Sequence, residues 1–319
     1  MKTETTVPPA SDYITHLSIN GLNGRVMRIK SAKKTRKREI LLVYGHHSSL
    51  ERMYTIALNL AEYGNVTMPD LPGFGGMDSF YVLGEKPTLD NMADYLATFI
   101  RLHYKKKPIS ICAMSWGFLV TTKMLQKYPE LASQVNLLIS FVGFASADDF
   151  KIAPTKQKAA RVTSKVMSGA LTAGMFRHIM LRSFLIKSFY RTVASRHPKM
   201  MDANKDELEK RVSFEVVLWQ SNDARTYMFT NNIMFNLDLT HEKVDLPMVH
   251  VAVDSDQYFD NKKVVKNLRK IYKEVRVVKS NLANHAPTIV DDVKEAGAII
   301  PSTVRRMLAQ KPKALATKE

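Results

Sequence analysis

One cysteine among 319 residues, Cys112, has no partner for an intrachain disulfide, so the core alone must hold the fold. No stretch reaches the roughly 18 consecutive apolar residues needed to span a bilayer. The N-terminal MKTETTVPPASDY also lacks the apolar core of a signal peptide. Together these point to a cytoplasmic protein, with any contact at the inner membrane surface peripheral. Acidic residues are scarce: 30 Asp and Glu stand against 47 Lys and Arg, a net charge of +17. That balance favours anionic partners such as acidic lipid surfaces, nucleic acid or anionic substrates, and it says nothing about fold. The length suits one large domain or a core domain with an insertion.

Along the chain, short apolar runs alternate with segments of helical period. Residues 13–20 and 25–30 alternate in polarity around Gly21-Leu22-Asn23-Gly24 and predict a β-hairpin. Lys33-Lys34-Thr35-Arg36-Lys37-Arg38 reads as a solvated basic loop. Buried parallel strands are expected at 39–44 and 135–144, and further strands at 65–69, 109–113, 247–253 and 274–279. Helices are expected over 50–63, over 91–104 with Thr88 as cap, after Ser115, over 261–272 and over 287–310. Strand–helix alternation of this kind implies an α/β fold with a mostly parallel sheet covered on both faces. Residues 149–245 break the alternation with helical patterns. Lys151 to Met201 carries eleven basic residues and no acidic one. The expected organisation is a first core part at 1–148, a helical cap at 149–245 and a second core part at 246–319.

Within Ile109–Thr122, an apolar run meets Ala113-Met114-Ser115-Trp116-Gly117 and a helical segment follows. A strand that turns sharply into a helix around a serine has the pattern of a nucleophile elbow, which needs small residues two before and two after the serine. Ala113 and Gly117 supply them. A serine becomes a nucleophile when a base takes its proton and a carboxylate orients that base. Two later strands end in segments bearing such groups, Asp254–Asp260 and Ser280–Pro287, at the same sheet edge as Ser115.

Four segments carry a resemblance to the α/β-hydrolase family: Val43-Tyr44-Gly45-His46, Asp70–Gly76 (DLPGFGG), Ala113–Gly117 (AMSWG) and Asn284-His285-Ala286-Pro287. The resemblance covers most of the chain outside Asp149–Asp245. It departs from the family at Tyr44, where histidine is usual, and at Ala113, where glycine is usual. It implies Ser115 as nucleophile, His285 as general base and Asp256 as orienting acid, with Asp254, Asp260, Asp148 or Asp149 as alternatives for the acid. The backbone N–H groups of His46 and Trp116 would form the oxyanion hole. No metal or organic cofactor is implied, and adjacent His46 and His47 without a spaced third ligand do not make a metal site.

The function implied is a serine hydrolase acting on a small-molecule carboxylic ester or thioester through an acyl-enzyme. The alternatives are an acyltransferase or carbon–carbon bond hydrolase with the same triad, and a non-catalytic lipid-binding protein on this fold. Serine at the elbow argues against the dehalogenases and epoxide hydrolases of the fold, which use aspartate there. Interleaved apolar and basic residues in the insertion suit a lid and contact with an anionic membrane surface. No recognition motif for nucleic acid accompanies the charge, and none is expected as a partner.

Overall fold

The computed structural model describes residues 8–33, 38–194, 200, 204–254, 256–280, 296–297 and 299–311. Its centre is an eight-stranded sheet in the order β1-β2-β4-β3-β5-β6-β7-β8. The hairpin of β1 (Ile14–Ile19) and β2 (Leu22–Ile29) lies at one side and joins β4 (Gly64–Pro69) antiparallel. Its turn is tighter than the sequence suggested. Asn20 and Gly21 alone make it, both at positive φ (52° and 78°), the backbone that a two-residue hairpin turn requires. Leu22–Gly24 therefore belongs to β2, and a side chain at Gly24 would run into Met77.

β3 (Arg38–Val43), β4, β5 (Ile109–Met114), β6 (Val135–Phe141), β7 (Val244–Val253) and β8 (Tyr272–Ser280) run parallel. Every residue of β5 is buried, as a continuous apolar run between two helical layers should be. β6 ends three residues before the apolar pattern does, because the backbone turns to φ 46° at Val142. The chain passes from β3 to β4 on one side and then to β5 on the other. The carboxyl ends of β3 and β5 thus flank the point where the winding reverses, where an open α/β sheet forms its crevice.

The helices follow from their caps and apolar spacing. α1 (Tyr54–Ala61) is preceded by turns at 50–53, so it begins later than its pattern. α2 (Leu89–Tyr104) starts where Thr88 Oγ1 accepts the Asn91 N–H at 3.1 Å, and it buries Met92, Leu96, Phe99 and Ile100. α3 (Trp116–Lys127) leaves β5 directly and is followed by the short α4 (Pro129–Gln134). Between β6 and β7 lie α5 (Pro154–Met167), α6 (Ala170–Met175), a π turn at Phe176–Met180, α7 (Ser183–Val193), α8 (Lys205–Ser221) and α9 (Ala224–Met234). These helices share a small apolar cluster that includes Leu181, Ile186, Tyr190, Val212 and Val216. α10 (Asn261–Ile271) returns to β8, and a helix at Ser302–Ala309 follows later.

The basic run at 33–38 is not uniformly solvated. Lys34–Lys37 lies outside the described residues, whereas Arg38 is the first residue of β3 and is buried. Its guanidinium donates to Ser110 Oγ at 2.6 Å, Asn136 Oδ1 at 3.2 Å, and the carbonyls of Leu308 (3.1 Å) and Gln310 (2.8 Å). A cation at the end of the Ser302–Ala309 helix satisfies carbonyls that have no acceptor role within the helix.

Arg38→Ala strips the donor from the Leu308 and Gln310 carbonyls and from the hydrogen-bonded Ser110–Asn136 pair, and is expected to lower the unfolding free energy by about 2–4 kcal/mol in urea denaturation. Arg38→Lys recovers little of this, since an ammonium cannot reproduce the planar fork of donors. Stability unchanged in Arg38→Ala would contradict this role.

Candidate functional site

Ser115 stands between the last residue of β5 and the first of α3, at φ 46° and ψ −116°. That backbone is costly for a residue with a Cβ, roughly 1–3 kcal/mol, and persists where its surroundings enforce it. The enforcing contacts are visible. The Ser115 N–H donates to the Phe141 carbonyl of β6 at 3.0 Å. Two residues on, a Cβ at Gly117 would sit against the carbonyl oxygens of Tyr44 and Val43, so β3's end permits only glycine there. Ala113, two residues before, is wholly buried in β5, where its methyl is accommodated. Trp116 opens α3, so its N–H has no intrahelical acceptor and lies beside the serine.

The loop after β3 completes this edge. A Cβ at Gly45 would come within 3.3 Å of Ser115 Cβ, so the loop passes in contact with the serine. Tyr44, the departure from the usual histidine, is fully buried and has a defined task. Its hydroxyl accepts the Leu71 N–H at 2.8 Å and donates to Asp70 Oδ1 at 2.9 Å. Asp70 also pairs with Arg25 Nε at 2.9 Å. Burial pushes its carboxyl up to about 7, against the opposing pull of Arg25 and Tyr44. The Asp70–Gly76 turn is thus tied to β3 and β2.

The two adjacent histidines diverge. The His46 ring lies 2.8 Å through Nε2 from Thr230 Oγ1 of α9 and packs near Tyr227, Phe74 and Trp116. His47, at φ 52°, is buried and reaches Glu215 Oε2 of α8 at 3.2 Å and Asn222 Nδ2 at 3.1 Å. Glu215, itself buried, also accepts from Arg52 Nη1 (3.4 Å) and from the Tyr190 hydroxyl (3.0 Å). Asn222 Oδ1 accepts the Gly75 N–H at 2.8 Å. Through these contacts the inserted helices rest on the loops at the carboxyl ends of β3 and β4. This cluster is not legible in the sequence. Its only trace is a lone acid in the otherwise apolar VSFEVVLW stretch of α8.

Among the acids, Asp256 lies three residues beyond β7 and is buried. Its Oδ1 accepts the backbone N–H groups of Tyr258 (2.8 Å) and Phe259 (3.1 Å). The alternatives have other employment. Asp149 accepts from Ala145 and Ser146 N–H through Oδ2 and from Asn267 through Oδ1. Asp254 is paired with Lys279 at 3.0 Å, Asp260 caps α10, and Asp148 is exposed. His285 lies outside the described residues. His250 sits inside β7, where burial lowers its pKa to about 4 and keeps it neutral. The Cys112 thiol is pushed up to about 12 by burial within β5. Among the described residues no group of three or more His, Cys, Asp or Glu could hold a metal ion.

A family model described as serine aminopeptidase, S33, matches residues 34–285. No curated protein matches by sequence. Many solved structures do match in shape. An esterase from Exiguobacterium antarcticum is 16% identical with a TM-score of 0.66, over 93% of this chain and 99% of that one. An enol-lactonase from Burkholderia xenovorans LB400 is 13% identical with a TM-score of 0.62, over 93% and 100%. A bacterial membrane phospholipase A is 14% identical with a TM-score of 0.61, over 93% and 84%.

Glu215→Ala removes one side of a buried charge cluster and is expected to cost about 3–5 kcal/mol of stability. Glu215→Gln retains hydrogen-bonding capacity toward Arg52 and Tyr190 and is expected to cost less. Thermal and urea denaturation of the two variants beside wild type measures the difference, and equal stability of all three would remove Glu215 from the structural account.

Proposed function

The chain belongs to the serine aminopeptidase S33 family of α/β-hydrolases, and from that premise we propose that it cleaves a carboxylic ester or thioester through an acyl-enzyme on Ser115. The observation that carries this reading is the Ser115 backbone, strained at φ 46° on a strand-to-helix turn with the Gly45–His47 loop in contact. An ester is also the bond implied by the names of the esterase and enol-lactonase that share the fold.

In this reading Ser115 Oγ attacks the substrate carbonyl carbon while His285 takes the hydroxyl proton. Asp256, whose Oδ1 is fixed by two backbone N–H groups, holds the imidazole's orientation and balances its positive charge. The oxyanion that forms is received by the N–H groups of Trp116 and His46. Collapse expels the alcohol or thiol, which takes the proton from His285. Water then adds to the acyl-enzyme, giving its proton to His285, and the carboxylic acid leaves as Ser115 recovers the proton. Tyr44, Asp70 and the Glu215 cluster support the loop that carries the His46 donor. Both Asp149 oxygens hold the turn after β6 onto α10, which argues against Asp149 as the acid.

Fluorophosphonate labelling and hydrolysis of a p-nitrophenyl ester series test this together. Wild type is expected to be labelled on Ser115, and Ser115→Ala and His285→Ala to lose both label and roughly 1,000-fold or more in kcat/KM. Asp256→Asn is expected to lose a comparable factor in kcat with a smaller change in KM. Label on another residue, or full esterase activity in Ser115→Ala, would overturn the assignment.

A further inference from the structure

The outward side of the inserted helices combines two properties that a water-facing surface does not need. Among the described residues, eight of the fourteen large apolar side chains left exposed fall within residues 162–189. Leu171, Met175, Ile179, Met180, Phe184 and Phe189 are each between 53% and 78% exposed. They lie on α6, the π turn and α7 in succession. The inward positions of these same elements are apolar too. Ala173 of α6 and Ile186 and Tyr190 of α7 are buried, so the helices present apolar side chains on both sides. A helix at a water interface ordinarily keeps its outer face polar. Exposed apolar side chains gathered in one region mark a contact surface.

The charge in this region has one sign. All nine charged residues from 151 to 194 are Lys or Arg. Lys156, Lys158, Lys165 and Arg177 are exposed, and no ion pair to a carboxylate engages them among the described residues. Cations interleaved with Phe, Leu, Met and Ile give a surface that attracts anionic headgroups and has apolar side chains to place below them. A second copy would bring like charges together at the same face. A nucleic-acid surface would use the cations but gain little from aliphatic side chains.

We propose that the face formed by α5, α6, the π turn and α7 docks on an anionic lipid bilayer, with the apolar side chains entering the headgroup–acyl boundary and the lysines and arginines contacting phosphate. This goes beyond the acyl-transfer chemistry, and binding is read without turnover. None of the described helices is long and apolar enough to cross the membrane, so the contact is interfacial.

Co-sedimentation of the full chain with vesicles of phosphatidylcholine, alone or with 30% phosphatidylglycerol, tests it. Binding is expected for the anionic vesicles only and to fall in 1 M salt, where the screening length shrinks from about 10 Å to about 3 Å. The charge variant Lys156→Gln/Lys158→Gln/Lys165→Gln/Arg177→Gln is expected to weaken it by at least about 10-fold. The apolar variant Leu171→Ser/Met175→Ser/Phe184→Ser is expected to weaken it comparably, while Leu102→Ser, an exposed site elsewhere, leaves it unchanged. All substituted positions are exposed, and circular dichroism checks that the fold is retained. Ser115→Ala is expected to bind as wild type does, which separates this proposal from the catalytic one. No sedimentation of folded wild type, or binding indifferent to both variants, overturns the proposal. So does a dimer in solution that the apolar variant dissociates, or binding to a homopolymeric RNA in place of vesicles.

Discussion

The approach of β3's carboxyl end to the start of α3 is the constraint from which the rest of the site follows. The carbonyls of Val43 and Tyr44 occupy the space a side chain at residue 117 would need. The helix can therefore begin close to the sheet only if glycine stands there. Ser115 must then take up the abrupt change of direction, and it does so at positive φ with its N–H fixed on Phe141. The half-buried serine is held at the edge because the strand and helix on either side are fixed by neighbours. β5 is buried between β3 and β6, and α3 packs against α2. A strained residue is tolerable here because its two flanking elements are among the most deeply buried in the molecule.

Two buried carboxylates tie the surrounding loops to this edge, and each does so across a long sequence separation. Asp70 connects the turn after β4 to Tyr44 at the end of β3 and to Arg25 on β2. Glu215 connects α8 to His47 and Arg52 on the loop after β3. Taking a carboxylate from water costs several kcal/mol, which its partners only partly return, so such pairs contribute less to net stability than to uniqueness of arrangement. A buried acid with several specific donors admits one register.

What was legible in the sequence was local. The elbow could be read because its small residues, its serine and the flanking periods lie within fourteen residues. The central parallel strands β3 and β5 could be read because burial on both faces leaves continuous apolar runs. The capped start of α2 was visible in Thr88. Long-range employment was not visible. Arg38 looks like one more cation in a basic run until the Ser302–Ala309 helix is placed across from it, some 270 residues later. Glu215 looks like a solvated helix charge until His47 and Tyr190 converge on it. The five aspartates considered for the triad could not be separated by spacing, because what differs among them is the partner each meets in the fold: Asn267 and two turn N–H groups for Asp149, Lys279 for Asp254, the Tyr258 and Phe259 N–H groups for Asp256. Asn20-Gly21 was readable by turn chemistry, and the wider loop over Gly21–Gly24 gave too much weight to the second glycine.

α7 joins the two aspects of the insertion in one element. From its inner side the Tyr190 hydroxyl reaches Glu215, and through Glu215 the loop that carries His46 and His47. On its outer side Phe184 and Phe189 stand in solvent. This helix of eleven residues is roughly 16 Å long, so the outer aromatics and Tyr190 lie within a few turns of one another. The contact that fixes the inner end is a hydrogen bond to a charged group, among the stronger single interactions available in a protein interior. The insertion is therefore not a loose cover whose surface and underside act separately. Its outer face and the loop beside Ser115 are joined through Tyr190 and Glu215.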